Sequence, residues 1–113
     1  MLRLTLITAA TVLLTASSAL AKDTQFWNLT VDTITKFQLS PAGKAAWGAD
    51  QTRNDKDGSV DPDERLKITG VAAGVYDAKF TDKKGRTCIV SNVTVEAGKI
   101  FSISEKQLTN CQK

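Results

Sequence analysis

The sequence predicts an all-β chain, a small antiparallel β-sandwich of about six strands. Three observations predict it. Beyond residue 22, apolar residues recur at every second position, the period of a half-buried strand, and not at the helical period. Turn signals built on glycine separate these runs, roughly ten residues apart in the C-terminal half. No segment carries a strong helical stripe. The clearest strand is "GVYDAKFTD", in which Tyr76, Ala78 and Phe80 share one face and Asp77 and Lys79 the other.

The chain opens on "MLRLTLITAATVLLTASSALA". Arg3 supplies a positive start, an apolar core runs from Leu4 to about Leu14, and Ala19-Leu20-Ala21 is a small-residue cleavage signature. This pattern predicts a secretory signal peptide over 1–21. It is too short and too rich in Thr and Ser for a membrane anchor, which takes roughly 20 apolar residues. No cysteine near the cut calls for a lipid anchor. Cleavage after Ala21 leaves 92 residues, a single domain over 22–113 with no membrane span.

The strands follow in order. "FWNLTV" and "ITKFQLS" are the first two, broken at Asp32-Thr33. "PAGKAAWGADQT" is irregular, with a short helical turn expected around Ala45-Ala46. "RLKITG" alternates Leu66 and Ile68 with Lys67 and Thr69. In "RTCIVSNVTVE", Cys88 and Val90 share one parity, and Val93 and Val95 the other. That switch predicts a bulge near Ser91-Asn92. "KIFSISE" alternates Phe101 and Ile103 with Ser102 and Ser104. The connections are Gly70 to Gly74, "TDKKGR" as a type I turn with Gly85 left-handed, and the tight turn "EAGK". From Glu64 onward these make four strands expected in meander order.

Small secreted domains have thin cores and often add a disulfide. The two cysteines, Cys88 and Cys111, are the natural pair. Their bridge closes a loop of about 23 residues and stabilises by roughly 3 kcal/mol in the chain-entropy model. Without Arg3, 14 basic residues face 12 acidic ones. Residues 50–64 carry a local charge of −4, and residues 65–113 a local +5. The basic residues are spread over strands without interleaved aromatics, which speaks against nucleic acid.

The sequence contains no histidine. This removes histidine triads, histidine bases and most zinc and copper sites. Bridged cysteines supply no nucleophile. No glycine-rich phosphate loop is present. Pairs such as Asp61 and Asp63 have no evident apolar pocket to tune them for acid–base work. Asn28-Leu29-Thr30 and Asn92-Val93-Thr94 are glycosylation sequons by pattern.

The densest feature is "NDKDGSVDPDER", five carboxylates around Gly58. Aligned to a calcium loop with Gly58 at position 6, Asp55 takes position 3, Asp57 position 5 and Ser59 position 7. Val60 falls at position 8, Asp61 at 9 and Glu64 at 12. Position 1 is Arg53, a cation where the first carboxylate belongs. The flanks are not helical. The stretch is therefore expected to be a hydrated acidic loop of Asx turns and salt bridges to Arg53, Lys56 or Arg65. The alternative is a calcium loop using Asp55, Asp57, Ser59, Asp61 and Glu64. No other cofactor is indicated. Phe26-Trp27 and Trp47-Gly48 are expected in the core, with Trp47 the candidate partner contact if half-exposed.

The sequence "LSPAG…WGADQ…NDKDGSVDPDERLKITG", followed by "GVYDAKFTDKKGRTCIV", resembles small exported proteins of Gram-negative bacteria across most of residues 26–111. That resemblance implies a periplasmic location and no particular mechanism. "ITGVAAGVYDAKFTDKKGR" resembles the G-x-Y-x-x-x-x-x-D-x-x-G hairpin of prealbumin-like and carboxypeptidase-regulatory-like surface modules. It implies an immunoglobulin-like or prealbumin-like sandwich used for adhesion or interaction. The expected function is thus a secreted, non-enzymatic module that binds a partner protein or envelope component. The alternatives are the calcium-binding domain and a small periplasmic enzyme inhibitor presenting loop 41–63.

Overall fold

The structure, a computed structural model, describes residues 22–113; the segment expected to be a signal peptide lies outside the described residues. Seven strands form two sheets packed as a sandwich. They are β1 (Gln25–Leu29), β2 (Ile34–Pro41), β3 (Arg65–Lys67), β4 (Gly74–Asp82), β5 (Thr87–Val95), β6 (Ile100–Ser104) and β7 (Cys111–Gln112). The three-stranded sheet has the order β3-β1-β6, and the four-stranded sheet β2-β4-β5-β7. Among the described residues there is no α-helix.

Alternation decides which side chains enter the core. Phe26 and Asn28 of β1 are buried, as are Ala78, Phe80 and Asp82 of β4 and Phe101 and Ile103 of β6. Two strands keep an apolar face inward only by inserting a residue. On β5, Tyr76 pairs with Val93 and Ala78 with Val90, so the extra residue falls at Ser91-Asn92. Asn92 adopts φ 58 there, and its N–H donates to Asp77 Oδ1. On β2, Ile34 opposes Asp82 and Lys36 opposes Thr81, which leaves Thr35 as the extra residue. Without that insertion Ile34 and Phe37 would face opposite sides; both are fully buried.

Four phenylalanines, two from each sheet, lock the layers together. Phe26 stacks on Phe37 at 4.2 Å, and Phe101 lies 5.6 Å from Phe26. Phe80 is 6.4 Å from Phe37. Such pairs add about 0.5–1.5 kcal/mol each beyond burial. Asp82 opens the turn before Gly85 and is itself buried; its carboxylate accepts from the N–H groups of Lys84 and Arg86 and from Arg86 Nε. Arg86 also donates to Glu105 at 3.0 Å. Burial pushes the Asp82 carboxyl up, but the hydrogen bonds from Arg86 and Lys84 outweigh it and hold it below its ordinary range. This charged clasp ties the β4–β5 turn to the segment after β6.

The strand positions follow the sequence, but the connectivity does not. β3 and β6 belong to one sheet and β4 and β5 to the other, so the four C-terminal strands are not a meander. Only β4 and β5 form a hairpin. Both Gly70–Gly74 and the "EAGK" turn carry the chain across the sandwich. A half-buried strand has one apolar face, and either sheet can receive it. As a result β1 and β6 pair in parallel, beside four antiparallel pairings. No helical turn forms at Ala45-Ala46. A 3₁₀ turn sits instead at Gln51–Asn54, where Asp50 accepts from the Thr52 N–H and fixes its start.

The Cys88–Cys111 disulfide is formed, with the cysteines opposed between β5 and β7. It holds a two-residue strand that has little else to fix it. Cys111→Ala, or reduction, is expected to remove about 3 kcal/mol. For a domain of this size that is a drop in Tm of roughly 12–24 °C. Calorimetry with and without reductant checks it; an unchanged Tm would show that β7 contributes nothing.

Candidate binding face

The acidic loop is seated by β1. Asn28 is fully buried and uses its whole amide. Its Nδ2 donates to the carbonyls of Val60 and Asp32, each at 3.0 Å. Its Oδ1 accepts from the N–H and hydroxyl of Thr30. The main chain extends the tie, because Asn28 N–H donates to Glu64 O and Asp63 N–H to Asn28 O. Val60 is drawn fully into the core and forms an isolated bridge with Ile34. The Asn28 sequon is therefore consumed by the fold, whereas Asn92 of the second sequon is exposed.

Within the loop, Asp55 makes an Asx turn, accepting from the Asp57 N–H at 2.9 Å. Gly58 follows at φ 69, the left-handed geometry that glycine adopts without strain. Asp61 accepts from the Thr33 hydroxyl, and its N–H donates to Glu64. Ser59 and Glu64 are half-buried, while Asp57 and Asp61 are exposed. Among the described residues no three acidic side chains converge on a common metal position. The expected salt bridges to Arg53, Lys56 and Arg65 are not made; the ion pairs lie elsewhere. Burial pushes the Glu64 carboxyl above its ordinary 4.5, against a hydrogen bond from the Asp61 N–H. The Asp55 and Asp61 carboxylates push it further in the same direction.

The two tryptophans are not core residues. Trp47 is half-buried, with Lys79 Nζ 5.3 Å above its ring, on the outer side of the four-stranded sheet. Trp27 lies on the outer side of the three-stranded sheet. Neighbours in a strand face opposite ways, so with Phe26 in the core Trp27 points out. Its Nε1 donates to Asp63 Oδ1 at 3.0 Å, and Arg65 lies 5.0 Å from its ring. The loop thus holds the indole from one side and β3 from another.

Register places the rest of this face. Arg65, Trp27 and Ser102 form one row across the sheet, and Lys67, Gln25 and Ile100 the next. Leu29 and Ser104 form a third. Leu29 is 37% exposed and Ile100 45%, and Val31, 66% exposed, lies just past the end of β1. Among the described residues, four large aliphatic side chains are exposed: Leu29 and Ile100 lie in the rows on either side of Trp27, Val31 follows the end of β1, and Val75 is on the other sheet. A groove of about 540 Å³ adjoins the Ile100 corner, lined by Lys22, Asp23, Gln25, Gly98, Lys99 and Ile100. The sequence signal for this face was present in two adjacent apolar pairs, Phe26-Trp27 and Ile100-Phe101. In each pair one member has to face outward.

No family model, no curated protein and no solved structure matches this chain.

Two predictions follow from the loop's anchorage. Asn28→Asp places an oxygen against the Val60 and Asp32 carbonyls and strips both of a donor. A loss of about 3 kcal/mol or more is expected in denaturant unfolding, and a loss below about 1 kcal/mol contradicts the anchoring role. The raised Glu64 means that the folded protein holds this proton more tightly than the unfolded chain does. Its contribution to stability is full below pH 4.5 and is lost as pH rises through the raised value. Glu64→Gln should therefore raise Tm at pH 7, not at pH 3.5, and equally in EDTA and in millimolar calcium. A fall in Tm confined to calcium would instead mark Glu64 as a ligand.

Proposed function

We propose that the mature chain is a secreted, periplasmic binding module without enzymatic activity, which engages a partner protein or envelope component through the outer face of the three-stranded sheet. The observation that carries this is the apolar surface around Trp27: an indole held by Asp63 and Arg65, with Leu29, Val31 and Ile100 exposed beside it. A fixed aromatic ringed by aliphatic and basic side chains is the composition of an interface centre. Holding the ring in place before contact reduces the ordering cost of binding.

The chemistry of the remaining side chains agrees. Asp50 illustrates it: burial raises its carboxyl, yet the N–H groups of Phe37 and Thr52 and the Thr52 hydroxyl outweigh this and keep it ionised. Glu105 is held below its ordinary range, chiefly by its hydrogen bond from Arg86. These carboxylates are committed to structure. Export is supported by the leader pattern and by the Cys88–Cys111 bridge, which suits an oxidising compartment.

The test is capture from envelope extract by immobilised mature protein. Species held by the wild type should be lost with Leu29→Glu and with Arg65→Glu, both exposed positions at which Tm should hold. Retention by both variants would remove this face from consideration.

A further inference from the structure

The outermost strands of the two sheets are β2, β3, β6 and β7; β2 is covered and β3 and β7 are short, with residues 91–95 of β5 reaching beyond β7. Along β2, Gly48 N–H donates to Leu39 O, Asp50 accepts from Phe37 N–H, and the Thr52 hydroxyl reaches Thr35 O. Val60 completes this cover at Ile34. β3 is three residues long, and Asn54 Nδ2 donates to its Lys67 carbonyl. β7 has two residues and is tethered by the disulfide. A single segment, 46–60, therefore seals the β2–β3 flank.

β6 differs. It has five residues, Ile100–Ser104, with no charge and no proline. In its parallel register with β1, Gln25 N–H donates to Lys99 O. Phe101 and Ile103 then turn their main-chain groups toward β1, and those of Ile100 and Ser102 point away from it. Among the described residues no side chain or loop bonds to the Ile100 or Ser102 main chain. Only the Ser104 N–H is covered, by Gln107 Oε1 at 2.9 Å. Long uncharged edges of this kind are ordinarily shielded against pairing.

The sequence around this edge is complementary to itself. In "KIFSISE", residues 99–105, a centre on Ser102 sets Lys99 opposite Glu105, Ile100 opposite Ser104 and Phe101 opposite Ile103. Two antiparallel copies in that register bring Lys99 toward Glu105 just past each strand end, with no charge between; Glu105 keeps its bonds to Arg86 and the Val31 N–H, and its side chain stays 37% exposed to the approaching lysine. Phe101 and Ile103 stay on the core side of each copy, as the two-residue period requires. Lys99 is free to move: its ammonium is paired with Glu96 but is 72% exposed.

We propose that β6 is a dimerisation edge, at which two copies of this chain pair their Ile100–Ser104 strands antiparallel about a two-fold axis through Ser102. The three-stranded sheets join into one of six strands, β3-β1-β6-β6-β1-β3. Ser102 N–H and O exchange bonds with Ser102 of the second copy, and Ile100 N–H donates to its Ser104 carbonyl. The sealed β2–β3 flank leaves two open stretches, β6 and residues 91–95 of β5 beyond β7; the second starts at the Ser91-Asn92 bulge, which disrupts a regular ladder, and β6 is unbroken. Pairing leaves Trp27 on the outer face and places two such faces side by side.

Sedimentation equilibrium of the mature, oxidised protein up to roughly 100 µM, a range that detects weak edge pairing, is the test. A dimer is expected. Ser102→Pro should give a monomer with little change in Tm, because that N–H is not used by β1 and proline is tolerated on an open edge. Ser102→Cys should cross-link between copies with a short bismaleimide, and Val75→Cys, exposed on the other sheet, should not. A wild-type monomer throughout the range overturns the proposal. So does a dimer that survives Ser102→Pro and gives no cross-link from Ser102→Cys. Should Ser102→Pro fail to fold, the cross-linking pair decides.

Discussion

The amide of Asn28 sits where two sheets, one turn and the acidic loop meet, and it satisfies all of them at once. A buried amide in a thin core is costly unless each of its donors and acceptors is used. Here Thr30, Asp32 and Val60 use them. Bridging Val60 to Ile34 at the β2 edge brings an apolar side chain into the core from a stretch that is otherwise charged. The same anchorage sets Asp63 beside Trp27 and fixes the end of the run of chain, residues 46–60, that covers β2 and β3. The shape of the outer face and the asymmetry of the two flanks both depend on this one residue.

Charge is distributed to suit that arrangement. The carboxylates that enter the structure, Asp50 and Asp82, are surrounded by N–H groups and kept ionised. Those left in the loop face solvent, where their mutual repulsion costs little. Glu64 lies between the two cases, partly buried and close to like charges, and it is the acid shifted upward. Arg86 does the converse, joining Asp82 and Glu105 so that separate turns of the sandwich share one cation.

Much of this was legible in the residues. Alternation located the strands, the parity switch between Val90 and Val93 located the bulge, and the presence of two cysteines alone located the bridge. Sheet membership was not legible, because Leu66 or Phe101 satisfies either layer equally well and "EAGK" turns a corner as readily as a hairpin. The spacing of Asp55, Asp57, Asp61 and Glu64 matched a calcium loop, but spacing does not record where main-chain ties pull each carboxylate. Asn28 read as a sequon because nothing local distinguishes an amide presented to solvent from one closed over by a loop 32 residues away. Trp27 read as core by size, although its neighbour Phe26 had already claimed that side of the strand.

Amide hydrogen exchange on residues 22–113 in the oxidised form tests the anchorage most directly. If Asn28 fastens the loop to the core, the N–H groups of Val60 and Asp63, which donate to Ile34 and Asn28, open only with global unfolding. Those of Lys56 and Asp57, in the exposed tip, exchange many times faster. Val60 and Asp63 exchanging at the rate of Asp57 would mean that the loop lifts away from β1 as a unit. In that case neither the Trp27 face nor the sealed flank has the support described.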